Sequence, residues 1–396
     1  RRSGADIKRT LLNLTNNIVN TTNGVFKLDL ERIEHLKERQ EKVLGSSLTV
    51  IEKIYWLVED CCRYGTLPFA GLARAGFIAV QMLRSFVASG AITQLEVDGF
   101  MCSLNTIAKQ MSKDHHHMDQ NSFLDKYGHL RPGTYDILSE RYDEAYEIYF
   151  REKPPPVKYD LGFEFESASI NRLSSAIKQA GFAADINQLL DFIKRAIEGR
   201  EYAKFVFTKS VSEILKLVNL LGRKYGLTTK DVSFLNISTL LNLYSTLDHR
   251  DLSKILKEES DRNRQFFEIT KAIKLPSVIT SADDIFEFEL EDGKPNFITT
   301  GRCQGDIVKE QDLLKVQLSR KIVFIPSADP GFDWVFSKNI CGLITMYGGA
   351  NSHMAIRAAE LKIPSVVGAG EKNFNTWAQG KFLEIDCENR QVRILR

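Results

Sequence analysis

The sequence is poor in cysteine for its length, and this scarcity excludes a disulfide-rich fold. Among its 396 residues are six cysteines, and none of them forms a CxxC pair. So few cysteines in so long a chain do not make a disulfide scaffold. We therefore expect reduced thiols, mostly packing residues, in a cytoplasmic protein. The six are Cys61, Cys62, Cys102, Cys303, Cys341 and Cys387.

Long apolar runs and an excess of one charge are also missing. No run of about 18 apolar residues occurs, and polar sequence follows Arg1-Arg2, so we expect neither a membrane span nor a signal peptide. The formal net charge is only +2, and Lys and Arg gather in no single stripe, which argues against nucleic-acid and membrane partners. The chain starts without Met, so we expect a fragment or a processed product.

What is present is the balance of a globular protein. Apolar residues make up 43% and charged residues 26%, which is enough to fill large cores. The length predicts two or three domains, at about 150 residues per domain. Residues 1 to about 275 show helical periodicity, with Leu72, Ala79 and Leu83 on one apolar stripe and Leu189 on another. We expect this part to be almost entirely helical.

The pattern changes near residue 276, where turn-forming sequence begins. Strand-like runs follow at residues 321–325, 341–345, 365–367, 381–386 and 391–395, and the last two predict a hairpin. One helix, residues 352–361, lies between the second and third runs. We therefore expect a linker at residues 276–295 and a compact α/β domain at residues 296–396.

The most informative segment follows the second predicted strand, where two glycines lead into a helix with a histidine in its first turn. Gly348 and Gly349 allow a positive φ and a close approach of backbone N–H groups to an anion. Asn351 or Ser352 is placed to cap the helix, whose free N–H groups and positive dipole end then face whatever His353 holds. A neutral imidazole is a competent nucleophile toward phosphorus.

The alternative is a histidine that only caps a helix, after glycines that only make a turn. That alternative treats the whole order of strand, two glycines, serine, histidine and helix as a coincidence. We therefore interpret His353 as a residue that carries a phosphoryl group, with Gly348, Gly349 and Ser352 as phosphate-binding residues.

This segment resembles the phosphohistidine swivelling domain of the phosphoenolpyruvate-utilising enzymes, whose motif runs roughly T-x-x-G-G-x-x-S-H-x-A-I-x-A-R-E-x-x-I-P-x-V-x-G. The matching positions are Thr345, Gly348, Gly349, Ser352, His353, Ala355, Ile356, Ala358, Glu360, Ile363, Pro364, Val366 and Gly368. The sequence departs at Ala359, where the family usually has Arg, which weakens any role assigned to that arginine. Upstream, residues 328–332 are similar to the family's T-D-P-G-W segment.

The resemblance also has implications for domain order. A phosphoenolpyruvate-binding barrel needs ~250 residues. We expect none here, since the given sequence has no such stretch after the last predicted hairpin. The order is instead similar to that of the rifampin phosphotransferases, in which an ATP-grasp domain precedes a helical acceptor domain and a C-terminal swivelling domain. This implies a multidomain fold: a mostly α-helical acceptor-binding domain at residues 1–275, then an α/β (β/β/α) swivelling phosphohistidine domain. ATP and Mg²⁺ would bind mainly to an N-terminal ATP-grasp domain absent from this chain, since the sequence shows no Gly-rich nucleotide loop.

Within that group, the helical part most resembles the L-glutamine kinases of capsule phosphoramidate synthesis. The similar stretches are residues 64–74, 127–136 and 200–205. This resemblance implies that ATP gives AMP and inorganic phosphate, while the retained phosphoryl group passes through His353 to the side-chain amide of glutamine. Three alternatives stay open: a hydroxyl acceptor, a non-enzymatic phosphocarrier module, and a structural protein with a decayed carrier domain.

A Gly- and Pro-containing loop at residues 127–136 supplies the first acceptor-side candidates. His129 is the candidate general base, Arg131 the candidate ligand for a carboxylate or phosphoryl group, and Asp136 the residue that orients His129. The alternative is a turn specified by Pro132 and its neighbouring glycine, with the histidine and the arginine solvated.

Three further cations are candidate substrate-binding residues. Arg74 lies about opposite the apolar stripe of its helix, and Arg200 and Lys204 share one helical face at i, i+4 spacing. The alternatives are a surface arginine at position 74 and a solvated pairing of Glu201 with Lys204. The run 115–117, three histidines, is interpreted as a solvated loop without a metal, because consecutive histidines do not converge on one ion.

Overall fold

The computed structural model describes residues 4–20, 24–150, 162–245, 252–273, 275–276, 279–286, 294–328, 330–350 and 352–396; the side chains of 4–6, 330, 353 and 360 lie outside that description. The helices are α1 (Gly4–Val19), α2 (Val25–Leu44), α3 (Val50–Asp60), α4 (Leu67–Ala88), α5 (Gln94–Ser103), α6 (Ile107–His117), α7 (Gln120–Tyr127), α8 (Tyr146–Phe150), α9 (Ser167–Ala180), α10 (Ile186–Lys224), α11 (Thr229–Val232), α12 (Ile237–Asn242), α13 (Leu252–Ala272), α14 (His353–Glu360) and α15 (Glu371–Trp377). The strands are β1 (Asn296–Ile298), β2 (Arg302–Lys309), β3 (Ile322–Ser327), β4 (Gly342–Tyr347), β5 (Ser365–Val367), β6 (Phe382–Asp386) and β7 (Gln391–Ile394). A π-helical turn occupies Cys61–Thr66, and 3₁₀ turns occupy Leu243–Ser245, Asp283–Ile285, Glu310–Asp312 and Pro330–Lys338.

The described residues fall into two compact units. Unit 1 consists of those within Arg1–Ser47, Trp56–Tyr127 and Pro155–Val211, and unit 2 of those within Leu48–Tyr55, Gly128–Pro154 and Ser212–Arg396. The loop that follows α7 therefore belongs to the same unit as the sheet. The units describe packing alone, and the domain limits at residues 275 and 296 stay a prediction.

The core of unit 1 is built from the predicted apolar stripes. Leu72, Ala79 and Leu83 of α4 are at most 1% exposed, and so are Leu189 and Ile193 of α10. All five belong to one buried cluster. Burial of each leucine or isoleucine contributes roughly 1.5–3 kcal/mol, so the stripes confirmed here are the main stabilising feature of this unit.

One helical segment tests the expectation that no membrane span is present. The segment Val50–Ala88 is continuous through its π-helical turn, and its most apolar window has a mean hydropathy of 1.3. By length and composition alone it can cross a membrane. The core helix of a soluble protein meets the same criterion, and the apolar stripe of α4 lies in the core of unit 1.

The prediction of a solvated loop for the three consecutive histidines is wrong. They form the last turn of α6. His115 is buried, and its ring centroid lies 5.1 Å from that of Phe123 in α7, whereas His117 is exposed. The short α7 folds back onto α6, and this packing extends the helix through a stretch of only moderate helix propensity.

Unit 2 contains a seven-stranded mixed sheet in the order β1-β5-β4-β3-β2-β6-β7. Strands β5, β4, β3 and β2 are parallel, and β1, β6 and β7 pair antiparallel at the two ends. Ile322–Ile325 and Gly342–Thr345 are buried, as expected for parallel strands covered on both faces. The five strands predicted from the sequence and the helix between the second and third are all confirmed.

The register brings two loops to one edge of this sheet. Ser327 at the end of β3 pairs with Tyr347 at the end of β4, and the N–H of Ala328 donates to the carbonyl of Tyr347 at 3.2 Å. The segments after β3 and β4 both leave the sheet at its carboxyl edge, which is where open α/β sheets bind their ligands.

Candidate active site

The histidine helix begins at the carboxyl end of β4. Ser352 is its N-cap, with extended backbone angles and a side-chain oxygen that accepts from the N–H of Ala355 at 3.3 Å. Ser352 is thus confirmed as a cap, while Asn351 lies outside the described residues. His353 is the first residue of α14, and its side chain also lies outside them. The free N–H groups of the first turn therefore start where the sequence placed the phosphate carrier.

The two glycines before this helix have different roles. Gly348 has a φ of +133°, and a Cβ there would lie 2.7 Å from the Cβ of Ala328. Gly349 is not among the described residues with a positive φ. Its carbonyl accepts from the N–H of Ser352 at 2.9 Å, which closes the turn. The positive φ that both glycines allow is adopted at Gly348.

Thr345 organises the same turn from inside the domain. It is fully buried, its hydroxyl donates to the carbonyl of Tyr347 at 2.9 Å, and it accepts from the N–H of Gly368 at 3.0 Å. Gly368 has a φ of +68°, and a Cβ there would overlap the carbonyl of Gly348. One hydroxyl thus joins the end of β4 to the end of β5. The motif match contained Thr345 and Gly368, but the sequence did not reveal this bond.

A buried ion pair anchors the histidine helix. The Nε of Arg357 lies 3.4 Å from a carboxylate oxygen of Asp333, and both side chains are at most 5% exposed. Arg357 is four residues after His353, and Asp333 belongs to the 3₁₀ segment Pro330–Lys338. Removal of one partner of such a pair leaves an uncompensated buried charge. This pair was not predicted, because neither residue belongs to the family motif.

The loop after α7 is held by buried side chains, so the alternative of a solvated turn is wrong. His129 and Arg131 are each 4% exposed. The carbonyl of His129 accepts from the hydroxyl of Ser212 at 2.6 Å. Arg131 donates to that hydroxyl at 3.2 Å and to the carbonyls of Asp136 and Ser139 at 3.2 and 3.0 Å.

The guanidinium of Arg131 differs from that of its neighbour Arg141. The hydrogen bonds of Arg131 reach two carbonyls and one hydroxyl, all of them neutral. Arg141 pairs instead with carboxylates of Asp143 and Glu213 at 2.6 and 2.7 Å. Burial, followed by the charge of Arg141, lowers the pKa of Arg131 from its usual value. Arg131 is thus a buried cation whose hydrogen-bond partners are neutral, while the charges of Glu144, Asp136 and Asp143 partly offset the lowering of its pKa.

The loop contacts the 3₁₀ segment that carries Asp333. The hydroxyl of Tyr142 donates to the carbonyl of Gly331 at 3.1 Å, and the ring centroid of Tyr149 lies 5.5 Å from that of Trp334. The carbonyl of Arg131 lies against the α-carbon of Gly331 so closely that any Cβ there would overlap it. Loop, 3₁₀ segment and histidine helix are therefore connected by direct contacts within unit 2.

Asp136 serves the turn itself. It is exposed, and its Oδ1 accepts from the N–H of Leu138 at 2.9 Å. Burial, followed by the charge of Asp136, raises the pKa of the Glu310 carboxyl. The structure thus gives Asp136 a turn-capping role, and its action on His129 stays a prediction.

The other predicted cations belong to unit 1. Arg74 is exposed. The side chain of Arg200 crosses over Gly76, with its guanidinium 5.3 Å from the ring centroid of Phe77 and 3.3 Å from Glu201. Glu201 is only 6% exposed, so the alternative of a solvated pair with Lys204 is wrong. The binding roles of Arg74, Arg200 and Lys204 stay predictions.

Comparison with known proteins assigns the C-terminal part alone. Residues 318–390 match the family described as PEP-utilising enzyme, mobile domain. The match includes β3 to β6 and α14, so it supports the resemblance drawn from the motif around His353. It includes none of α1 to α13. No curated protein matches the chain. Among the described residues, no group of three or more His, Cys, Asp or Glu side chains is arranged to hold a metal.

Proposed function

We propose that the chain is part of a phosphotransferase in which His353 carries a phosphoryl group from ATP to a small acceptor. The observation that carries the proposal is the matched mobile domain, whose motif histidine opens a capped helix after the glycine turn. Such a helix start offers free N–H groups and a positive dipole end to an anion. Phosphoryl transfer asks for this kind of positioning and charge compensation more than for covalent chemistry by the protein.

The proposed charging step conserves all three phosphoryl groups of ATP. ATP and water give AMP and inorganic phosphate. The remaining phosphoryl group of ATP forms a P–N bond with the imidazole of His353. Mg²⁺ would neutralise the phosphate charge, bound together with ATP on an ATP-grasp domain that works with this chain. In the second step the P–N bond breaks, the acceptor takes the phosphoryl group, and the histidine returns to its neutral form.

The loop at residues 128–145 is the proposed acceptor end. Its support is the contact of this loop with the segment that anchors α14, and the buried guanidinium of Arg131, whose hydrogen bonds reach neutral oxygens. Since two loop carbonyls and the hydroxyl of Ser212 already accept from the terminal nitrogens of Arg131, we propose that its charge attracts the transferred group without bidentate binding. His129 would take the proton that the attacking acceptor releases.

L-Glutamine is the proposed acceptor, through attack of its side-chain amide nitrogen. This choice rests on the resemblance of residues 64–74, 127–136 and 200–205 to L-glutamine kinases. A small-molecule acceptor and a cytoplasmic location, without a nucleic-acid or membrane partner, complete the proposal. A hydroxyl acceptor and a phosphocarrier without a small acceptor are the alternatives that the test separates.

The test uses the full-length protein with magnesium ATP labelled with ³²P at the β position. We expect acid-labile, alkali-stable label on His353, lost in His353→Ala and retained in His117→Ala, which removes an exposed histidine. Labelling that persists in His353→Ala would overturn the proposal.

Addition of L-glutamine to the charged protein then tests the acceptor. Phosphorus NMR should show a phosphoramidate as the label leaves His353. If an alcohol accepts the phosphoryl group in place of glutamine, the proposed role of His353 stands and the proposed acceptor is replaced by an alcohol. If no small acceptor removes the phosphoryl group from His353, the result would favour a phosphocarrier module.

A further inference from the structure

Two cysteines of the sheet domain face each other across two glycines. Cys303 lies in β2, and Cys341 directly precedes β4. A Cβ on Gly342 would lie 2.8 Å from the Sγ of Cys303, and a Cβ on Gly305 would lie 2.8 Å from the Sγ of Cys341. Each sulfur therefore occupies the space that a side chain on the glycine beside the other cysteine would fill.

The two thiols also interact directly. The contacts at the two glycines place the sulfur atoms of Cys303 and Cys341 close enough for each thiol to shift the pKa of the other. The Sγ of Cys341 has two further oxygen neighbours, the carbonyls of Arg320 at 3.2 Å and Gln304 at 3.7 Å, in exposed surroundings. Cys303 and Cys341 are both partly accessible. A small oxidant therefore reaches the pair without unfolding the domain.

We propose that Cys303 and Cys341 are a redox-active pair that forms a reversible disulfide in the presence of a hydroperoxide. In the first step the Cys341 sulfur attacks the peroxide oxygen, the O–O bond breaks, and sulfenic acid and one water (or alcohol) form. In the second step the Cys303 sulfur attacks the sulfenic sulfur and releases a second water. Two thiols are oxidised by two electrons, and a dithiol reductant reverses the change through thiol–disulfide exchange.

The assignment of Cys341 as the first thiol follows from its surroundings. The neighbouring Cys303 thiol lowers the pKa of Cys341, the Cys341 thiol raises that of Cys303, and the thiolate is the reactive form. Cys387, the third cysteine of this sheet, is 4% exposed, and burial raises its pKa. Its thiol donates to the carbonyl of Ser365 at 3.7 Å, and its proximity raises the pKa of Cys303.

This site is separate from the proposed phosphoryl transfer. Cys341 lies at the amino end of β4 and Gly348 follows its carboxyl end. At ~3.3 Å per residue the two ends are about 20 Å apart. A disulfide would therefore tie β4 to β2 behind the carrier turn without blocking it, and its test needs no phosphoryl acceptor.

The experiment exposes the full chain to hydrogen peroxide, blocks remaining thiols with N-ethylmaleimide, and maps peptides by mass spectrometry. We expect a cross-linked peptide that joins Cys303 and Cys341, two fewer titratable thiols, and complete reversal by dithiothreitol. Cys62→Ser, which removes an exposed thiol, and Cys387→Ser should both retain the cross-link. In Cys303→Ala we expect sulfenic acid at Cys341, trapped by dimedone, and no cross-link.

Three outcomes would overturn the proposal. They are sulfinic acid at Cys341 without a cross-link in the native chain, a disulfide that uses Cys387, and a dimer joined through Cys62. The rate of maleimide modification in the reduced chain is a second measurement that needs no variant. We expect Cys341 to react at least tenfold faster than Cys303, and the reverse order would remove Cys341 as the attacking thiol.

Discussion

The carrier turn around Gly348 and the loop around Arg131 are both irregular segments of unit 2, but they are held in opposite ways. In the carrier turn, Thr345 and Ser352 bond to backbone groups of neighbouring strands and of the first helical turn. In the loop, buried charged side chains reach partners far along the chain, such as Arg131, which donates to Ser212, 81 residues away. The first segment is specified by its own short motif, and the second by the rest of the fold.

This difference has a consequence for charge. In the carrier turn, the hydrogen bonds of Thr345 and Ser352 use neutral groups, and the hydroxyl of Tyr347 beside them donates to the carboxylate of Glu371 at 2.7 Å. The loop concentrates two buried guanidinium groups, one compensated by carboxylates and one bonded only to neutral oxygens. Variants of either region should therefore fail for different physical reasons.

The largest expected effect is at the ion pair between the histidine helix, which follows the carrier turn, and the 3₁₀ segment, which the loop contacts. Arg357→Met leaves Asp333 buried without its cation and should lower the free energy of unfolding by about 3–5 kcal/mol, measured by urea denaturation. The double variant Arg357→Met/Asp333→Leu removes both charges and should recover most of that loss. Equal destabilisation in the single and double variants would show that the pair contributes packing and not charge compensation.

The fold, too, could be predicted from the sequence where the signal is local, and elements without such a signal were missed. Four of the five predicted strands have buried apolar centres, such as Ile322–Ile325 and Leu343–Ile344, and continuous apolar runs are strong signals for parallel strands. Strand β7 has no buried residue and was predicted from the alternation of the hairpin. Strand β2 was missed because its residues alternate between exposed and buried around an internal glycine. Helix α15 was missed because it is short and only two of its apolar residues, Phe374 and Trp377, pack against the core, which is too few for a recognisable periodicity.

The candidate site was predictable where chemistry is local. The motif gave Ser352 as a cap and Gly348 as a strained position, because both are decided by the adjacent backbone. The burial of Arg131 was not predictable, since Pro132 and Gly133 suggested a surface turn. It depends on partners such as Ser212 in α10, which no pattern in the loop reveals.

The second prediction compares the two buried arginines. Arg141→Met leaves the carboxylates of Asp143 and Glu213 without their cation and should cost about 3 kcal/mol. Arg131→Met leaves only neutral acceptors and should cost about 1–2 kcal/mol less than Arg141→Met. Discharge of phosphorylated His353 should show the reverse order, with Arg131→Met the slower variant. If Arg141→Met slows discharge more at equal folded fraction, the proposed role of the Arg131 charge is wrong.

The third prediction concerns the contact between loop and 3₁₀ segment. Gly331→Ala forces a methyl group into the carbonyl of Arg131 and should cost about 1–3 kcal/mol. Gly45→Ala is the matched control, since the nearest atom to a Cβ there is 3.2 Å away and its φ is −78°. We also expect Gly331→Ala to slow discharge of phosphorylated His353 to the acceptor more than its charging by ATP. If Gly331→Ala slows phosphorylation of His353 and transfer to the acceptor equally, this contact has no specific role in the transfer to the acceptor.

The smallest expected effect is in the carrier turn itself. Thr345→Val keeps the buried shape but removes the hydroxyl, so the N–H of Gly368 and the carbonyl of Tyr347 lose a partner. A buried donor without a partner costs about 1–3 kcal/mol, and the exposed end of this turn relieves part of that cost, so we expect about 1 kcal/mol. Thr345→Ser retains the hydroxyl and is the matched control for the lost methyl group. Hydrogen exchange at the N–H of Gly368 should accelerate in the valine variant and not in the serine variant. Unchanged protection in both would mean that the turn is held by the backbone of Gly348 and Gly368 alone.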